Sequence, residues 1–298
     1  MTATAALVVA TYSRRMQLLL PDGRRIDARI KGKRVKPVCG DRVEAEPIPG
    51  ETDWLITALC DRRNELTRPN LRGRVEVLAA NIDRILVMAA PAPDPEWSIV
   101  DRYLCAAELI DAGAAVIFNK ADLPAGQSAD EVLDDYARIG YHAVRCSAKT
   151  GLNMDAVATL LRDGVSIIVG QSGVGKSSLI NRLLQDDRQR VATISEKSGE
   201  GRHTTVNSAM LQLPGGGAVI DSPGVRDYAP ALQPGEVVVG YREIAAAGRD
   251  CRFANCRHLR EPGCAVKAAV ETAAISKRRY DSYRHLLALT EKLTRKQF

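Results

Sequence analysis

Aromatic residues are scarce in this chain of 298 residues, which holds 3 Phe, 2 Trp and 8 Tyr. Its cores must therefore be built mainly from Ala, Val, Leu and Ile. No apolar run approaches the ~20 residues that a membrane-spanning helix needs. The opening Met1–Ala10 lacks the basic stretch of a secretory signal and runs directly into Tyr12-Ser13-Arg14-Arg15. A soluble, cytoplasmic protein is expected, with no membrane partner. Internal repeats and low-complexity tracts are missing too, which sets aside repeat architectures. Charged residues at 26% and apolar residues at 45% exclude a disordered chain. Seven cysteines in a reducing compartment read as thiols or metal ligands rather than disulfides.

The net charge of +6 is uneven. Residues 1–64 carry 12 Lys/Arg against 8 Asp/Glu, residues 65–274 carry 23 against 26, and residues 275–298 carry 7 against 2. A slightly acidic middle between two basic ends points to a polyanion at the ends, with solvated surface as the plain alternative.

Three regions emerge, at 1–64, 65–230 and 231–298. In the first, strand-like pieces at Ala6–Val9, Met16–Leu20, Arg25–Ile30, Asp41–Glu46 and Trp54–Leu59 are separated by turn signals. Five short strands in about sixty residues suit a β-barrel of the OB-fold kind, or a short sandwich. In the second, strands at Ile82–Ala90, Ala114–Phe118, Ala143–Cys146 and Val165–Val169 alternate with helices at Trp97–Ala112, Ala129–Ile139 and Asn153–Arg162. That alternation predicts an α/β domain with a mostly parallel sheet. In the third, helices are predicted over Glu236–Ala247, Ala265–Ala274 and Lys277–Leu293, with no further strand.

The run Gly170-Gln171-Ser172-Gly173-Val174-Gly175-Lys176-Ser177 fits G-x-x-x-x-G-K-[ST] between a strand and a helix that includes Ser178. Glycines let the backbone wrap phosphates, and successive N–H groups at the helix start make an anion nest. Lys176 is expected on the β and γ phosphates and Ser177 on Mg²⁺. Asn119-Lys120-Ala121-Asp122 follows a strand and fits N-K-x-D. A carboxylate there accepts from both N1–H and the exocyclic amine of guanine, a donor pair that adenine lacks. Ser147-Ala148-Lys149 after the next strand fits the second guanine loop, where a backbone N–H meets the base. Asp221-Ser222-Pro223-Gly224 fits D-x-x-G, with Asp221 assisting Mg²⁺ through water and the Gly224 N–H sensing the γ-phosphate. Between the two phosphate elements lie His203, Thr204 and Thr205, and either threonine can complete the Mg²⁺ shell. Val225 stands where many such enzymes place a water-orienting glutamine. His203 is the alternative group for that water, or else a solvent-facing loop histidine. Cys251-x4-Cys256-x-His258-x5-Cys264 is a four-ligand Zn²⁺ pattern. Cys39, Cys60, Cys105 and Cys146 sit beside apolar residues and read as small buried hydrophobes.

In chain order the motifs run N-K-x-D, S-A-K, P-loop, switch threonines, D-x-x-G. That order resembles the circularly permuted GTPases, and most closely the small-ribosomal-subunit biogenesis GTPases of the RsgA (YjeQ) family. Thr67-Arg68-Pro69-Asn70, Ala80-Asn81-Ile82-Asp83, Gly201–Thr205 and the cysteine cluster are similar to that family as well. The resemblance implies an N-terminal OB-fold, a permuted GTPase domain and a C-terminal helical zinc domain. It implies GTP and GDP with Mg²⁺ as ligands, one Zn²⁺ per chain, and the 30S subunit with its 16S rRNA as partner. It also implies GTP hydrolysis stimulated by that subunit, late in its maturation. A monomer is expected.

Two rival functions stand beside this one. A P-loop kinase would need an acceptor pocket and no N-K-x-D. A plain RNA-binding module would hold its nucleotide without turning it over. Basic side chains support an RNA surface at both ends: Arg24, Arg25, Arg29, Lys31, Lys33, Arg34 and Lys36 in the barrel, and Lys277, Arg278, Arg279, Arg284, Lys292, Arg295 and Lys296 in the last helix. Tyr280 and Tyr283 among the latter are either stacking groups or helix-packing residues. Because the chain passes from D-x-x-G straight into the third region, ordering of that switch is expected to move the third region directly.

Overall fold

Alternation with period two builds the first five strands of the computed structural model, which describes residues 3–12, 15–30, 36–69, 75–124, 127–184, 208–221 and 232–295. The strands are β1 (Thr4–Thr11), β2 (Met16–Leu19), β3 (Arg25–Ile30), β4 (Arg42–Pro47) and β5 (Trp54–Leu59). They pair in the order β1-β2-β3-β5-β4, and β4 returns to β1, so the sheet closes. The β3–β5 pair is parallel and the others antiparallel, which is the OB-fold closure. Val8, Leu18, Ala28, Val43, Ala45 and Ile56 point inward, and all are buried. Register shifts at Val8/Ala10 and Glu44/Ala45 give the bends that closure requires.

A hairpin of β6 (Glu65–Pro69) and β7 (Val75–Ala80), unforeseen in the sequence, leads into the α/β domain. There β8 (Arg84–Ala89), β9 (Gly113–Phe118), β10 (His142–Arg145), β11 (Val165–Gly170), β12 (Ser208–Gln212) and β13 (Ala218–Asp221) form a sheet in the order β10-β9-β8-β11-β13-β12. All are parallel except β12. Helices α1 (Trp97–Leu109), α2 (Gln127–Arg138), α3 (Met154–Leu161) and α4 (Lys176–Leu183) connect them. The strands are buried on both faces, which is why they read as unbroken apolar runs. The P-loop strand β11 lies mid-sheet, while the guanine-loop strand β9 precedes it in the chain. That is the permuted order.

Strand β12 pairs with β1, Ala10 against Ala209 and Thr11 against Ser208, so barrel and α/β sheet are one hydrogen-bonded surface. At the same junction buried Asp41 accepts from Arg62 Nε at 2.8 Å and Nη2 at 2.9 Å.

The third region consists of α5 (Arg242–Gly248), α6 (Ala265–Glu271) and α7 (Lys277–Arg295). The helix predicted from Glu236 starts only at Arg242. Residues 234–240 form turns instead, because Gly240 lies against α1, where an added Cβ would sit 2.2 Å from Cys105 Sγ. Two other readings change. Cys60 is only half-buried, unlike Cys39, Cys105 and Cys146. Arg278 and Arg279 do not belong to an open basic face. Arg279 is fully buried and donates to Asp101 of α1 at 2.8 Å and to Glu243 of α5 at 2.8 and 3.1 Å. Arg278 donates to Asp101 at 2.9 Å. Tyr283 packs in the C-terminal core and the Tyr280 hydroxyl donates to the His258 carbonyl at 2.5 Å, so both pack helices.

Candidate nucleotide-binding and metal sites

Three loops meet at the carboxyl ends of β9, β10 and β11, where open α/β sheets bind ligands. Asn119, buried and held at the end of β9, ties them together. Its Nδ2 donates to the Val174 carbonyl at 2.9 Å, and its Oδ1 accepts from the Ala148 N–H at 3.0 Å. One side chain thus fixes both the P-loop and the S-A-K loop. Gly175 makes this approach possible: at φ 95° a Cβ there would lie 2.5 Å from Asn119 Nδ2. Gly170, at φ 135°, is pressed closer still, where an added Cβ would lie 2.2 Å from the Met88 carbonyl oxygen. Lys120 spans the P-loop, its Nζ donating to the carbonyls of Ala92 and Gly173 at 2.6 and 2.7 Å.

Asp122 is oriented by the Ser147 hydroxyl, which donates to its Oδ1 at 2.6 Å, while Lys149 Nζ lies 3.8 Å from Oδ2. The Ser147 hydrogen bond holds the Asp122 carboxyl below the usual carboxylate range, so it is an acceptor only. Lys176 Nζ donates to the carbonyls of Gly170 and Gln171 at 2.7 and 2.8 Å, which puts its ammonium at the loop itself. Ser177 and Ser178 occupy the exposed first turn of α4. Ser172 and Gly173 are exposed at the loop crest. Asp221 ends β13, the strand beside β11, so hydroxyl and carboxylate oxygens of the kind that suit Mg²⁺ come from neighbouring elements. His203, Thr204, Thr205, Gly224 and Val225 lie outside the described residues.

Two further contacts carry no local sequence signal. Gln171 and Glu96 pair across the site, Gln171 Nε2 to Glu96 Oε1 at 3.1 Å and the Glu96 N–H to Gln171 Oε1 at 3.3 Å. The next residue, Trp97, stacks on Phe118 at 6.0 Å, beside Asn119. These link residues far apart in the chain, and no local pattern reports such links.

In the third region Cys251, Cys256, His258 and Cys264 converge, all their ligand atoms lying within 4.8 Å of one another. Cys251 Sγ is 3.9 Å from Cys264 Sγ, and each of these sulfurs is 3.5 Å from His258 Nδ1. Such separations fit a tetrahedral centre with bonds of about 2.0–2.3 Å, and three thiols with one imidazole are a Zn²⁺ donor set. Burial holds His258 below its usual range, with Glu261 pulling weakly the other way, so its ring is neutral and able to ligate. Burial and the neighbouring thiols push Cys256 up to about 11. A bound cation would offset the mutual repulsion of thiolates this close together. Elemental analysis is expected to find one Zn²⁺ per chain. Cys256→Ser is expected to unravel the C-terminal helices while sparing the α/β domain, since metal binding energy is folding energy here. A metal-free chain with those helices intact would contradict this.

Comparison with known proteins agrees with this geometry. The sequence profile described as RsgA GTPase matches residues 59–230. The small ribosomal subunit biogenesis GTPase RsgA of Azotobacter vinelandii is 42% identical over 255 residues, spanning 84% of this chain and 74% of its own. That of Marinobacter nauticus is 43% identical over 256 residues, spanning 84% and 73%. The crystal structure of YjeQ from Thermotoga maritima superposes with a TM-score of 0.77 at 28% identity, over 97% of this chain and 99% of the other. YloQ, described as a circularly permuted GTPase, superposes with a TM-score of 0.73 at 23% identity, over 98% and 96%, which speaks for the fold.

Proposed function

The chain belongs to the RsgA GTPase family, and from that membership we propose that it hydrolyses GTP to GDP and phosphate in the biogenesis of the small ribosomal subunit. The observation that carries this is Asn119, whose two hydrogen bonds join a guanine-reading loop to a phosphate-binding loop. A kinase of the adenine-using kind has no use for that bridge, nor for the Ser147–Asp122 pair beside it.

The proposed roles are read from the motifs, and for Asp122, Ala148 and Lys176 the loop geometry supports them. Asp122 accepts from N1–H and the exocyclic amine of guanine, and the Ala148 loop meets the base from the other side. Backbone N–H groups of residues 171–177 cradle the phosphates, and Lys176 holds the β and γ oxygens. Ser177, Asp221 through water, and Thr204 or Thr205 would hold Mg²⁺, which would supply neutralisation of the charge that builds on the phosphate oxygens. The Gly224 N–H reads the γ-phosphate. His203 positions the attacking water, because Val225 cannot.

The domains divide at 64/65 and 230/231. The barrel and the zinc-bearing helices bind 16S rRNA, and the protein works as a cytoplasmic monomer. No helix of the described residues is long and apolar enough to cross a membrane. Two connections support coupling between nucleotide and subunit. Strand β12, which follows residues 185–207, carries the barrel through β1. Strand β13 leads into residues 222–231 and then the zinc-bearing helices, which also dock on α1.

Steady-state GTP hydrolysis, measured with and without purified 30S subunits, tests the reading. Slow basal turnover and a large rise with subunits are expected, and Lys176→Ala is expected to abolish both. GTP that stays intact even with subunits present would favour the rival in which nucleotide is structural.

A further inference from the structure

We propose that Phe253, at the tip of the cysteine knuckle, is a stacking platform for an unpaired RNA base, and that Arg252 takes the phosphate beside it. This rests on the reading that the chain binds the small ribosomal subunit. The chain has 3 Phe. Phe118 is buried in the α/β core and Phe298 lies outside the described residues, but Phe253 is 40% exposed. It stands outside the C-terminal core cluster, so helix packing does not account for it.

The knuckle holds this ring in place through its own backbone. Arg252 N–H donates to the Gly263 carbonyl at 3.2 Å, and Cys256 N–H donates to the Phe253 carbonyl at 3.1 Å. The Glu261 carboxylate accepts from the N–H groups of Arg257, Leu259 and Arg260 at 2.8–3.1 Å, so this acid faces the backbone. Tyr283 donates to the Arg257 carbonyl at 3.0 Å. A ring mounted on so constrained a loop loses little freedom when a base lands on it.

The charge around the ring suits a polyanion. Arg249, Arg252 and Arg260 are exposed and enter no ion pair among the described residues, whereas Arg257 pairs with Glu291. Asp250 is an exposed acid in the same stretch, next to Arg249 in the chain. The Arg252 guanidinium lies 5.4 Å from the Phe253 ring centroid, a cation–π stack that a base can extend. Every base has a π-face, so stacking of this kind tolerates sequence, and the adjacent guanidinium supplies the phosphate contact. An acidic protein segment would use the arginines but has no need of an aromatic plane.

The test measures binding of the full-length zinc-loaded protein to purified 30S subunits across a series of salt concentrations. Phe253→Ala and Phe253→Leu are each expected to weaken binding roughly five- to a hundred-fold, the worth of one stacked base. Neither is expected to change the slope of log affinity against log salt, because no charge is lost. Phe253→Trp is expected to bind like the parent. Arg252→Gln is expected to lower the slope by about 0.7–0.9, one phosphate's share of released counterions. Zinc content and basal GTP hydrolysis should stay at parent values in all four. Parent-like binding by Phe253→Leu would mark an apolar protein pocket and overturn the stacking. Parent-like binding by Phe253→Ala would overturn it too, as would zinc loss in both variants, which would make the ring a structural part. A parent that fails to bind 30S subunits would instead sink the proposed function itself.

Discussion

Asp122→Asn is expected to lower affinity for GTP on the order of 10⁴-fold, because a site built to hydrogen-bond its ligand leaves groups unpaired when one partner changes. The carboxylate accepts two guanine donors at once, and the Ser147 hydroxyl at 2.6 Å fixes its orientation. An amide at the same place turns one acceptor into a donor facing the guanine amine. The same amide can donate to the 2-oxygen of xanthine, so xanthosine triphosphate should bind in place of GTP. Fold and zinc content should not change, since Asp122 contacts only loop residues Ser147 and Lys149 among the bonds described above. Equilibrium binding of fluorescent GTP and xanthosine triphosphate analogues checks it. A variant that binds GTP like the parent would remove Asp122 from base recognition.

Asp101→Ala is expected to destabilise the folded chain by about 3–5 kcal/mol, the usual cost of breaking a buried ion pair from one side. Asp101 has no exposed surface and accepts from Arg279 at 2.8 Å, Arg278 at 2.9 Å and the Tyr136 hydroxyl at 2.6 Å. Without it, the buried Arg279 keeps Glu243 as its one carboxylate partner among the described residues. Burial alone would push the Asp101 carboxyl up, but the Arg279 and Arg278 guanidinium groups outweigh it and hold the carboxyl below its usual range. A carboxylate depressed in the folded state contributes stability above its unfolded value near 3.9, and that stability is lost as pH falls through the lower folded value. The parent should therefore keep the docking of α7 on α1 at neutral pH and lose it only in strong acid. Asp101→Asn should flatten that acid limb. Urea unfolding at pH 7 and at acid pH checks both. A loss under about 1 kcal/mol, typical of a surface pair, would mean that this contact does not hold the third region in place.

Much of the architecture was legible because it is written in local pattern. The barrel strands show alternation and the α/β strands show apolar runs. The P-loop, N-K-x-D, S-A-K and cysteine spacings are short-range chemistry, and the structure brings each set together. What escaped was long-range. Asp101 reads as one acid within a helix whose buried face includes Ile99, Val100, Tyr103 and Leu104, and its partner Arg279 is 178 positions away. Arg278 and Arg279 read as RNA-facing charge for the same reason. The short strand β12, five residues between a long polar stretch and the run Pro214-Gly215-Gly216-Gly217, shows too little pattern to read. The helix predicted from Glu236 failed at Gly240, which is needed for close approach to Cys105, a contact no periodicity reveals.

On the proposed function, nucleotide state and subunit binding are one equilibrium. Strand β12 follows residues 185–207 in the chain and pairs with the barrel strand β1, and strand β13, paired to β12, precedes residues 222–231 and the third region. By linkage, a subunit that prefers the GTP-bound arrangement must tighten GTP binding by the same factor. The most direct measurement is the affinity of the full-length protein for purified 30S subunits with a non-hydrolysable GTP analogue and with GDP, at one fixed salt concentration because phosphate-driven affinity shifts steeply with ionic strength. Tighter binding is expected with the GTP analogue, and equal affinity in the two states would rule the coupling out.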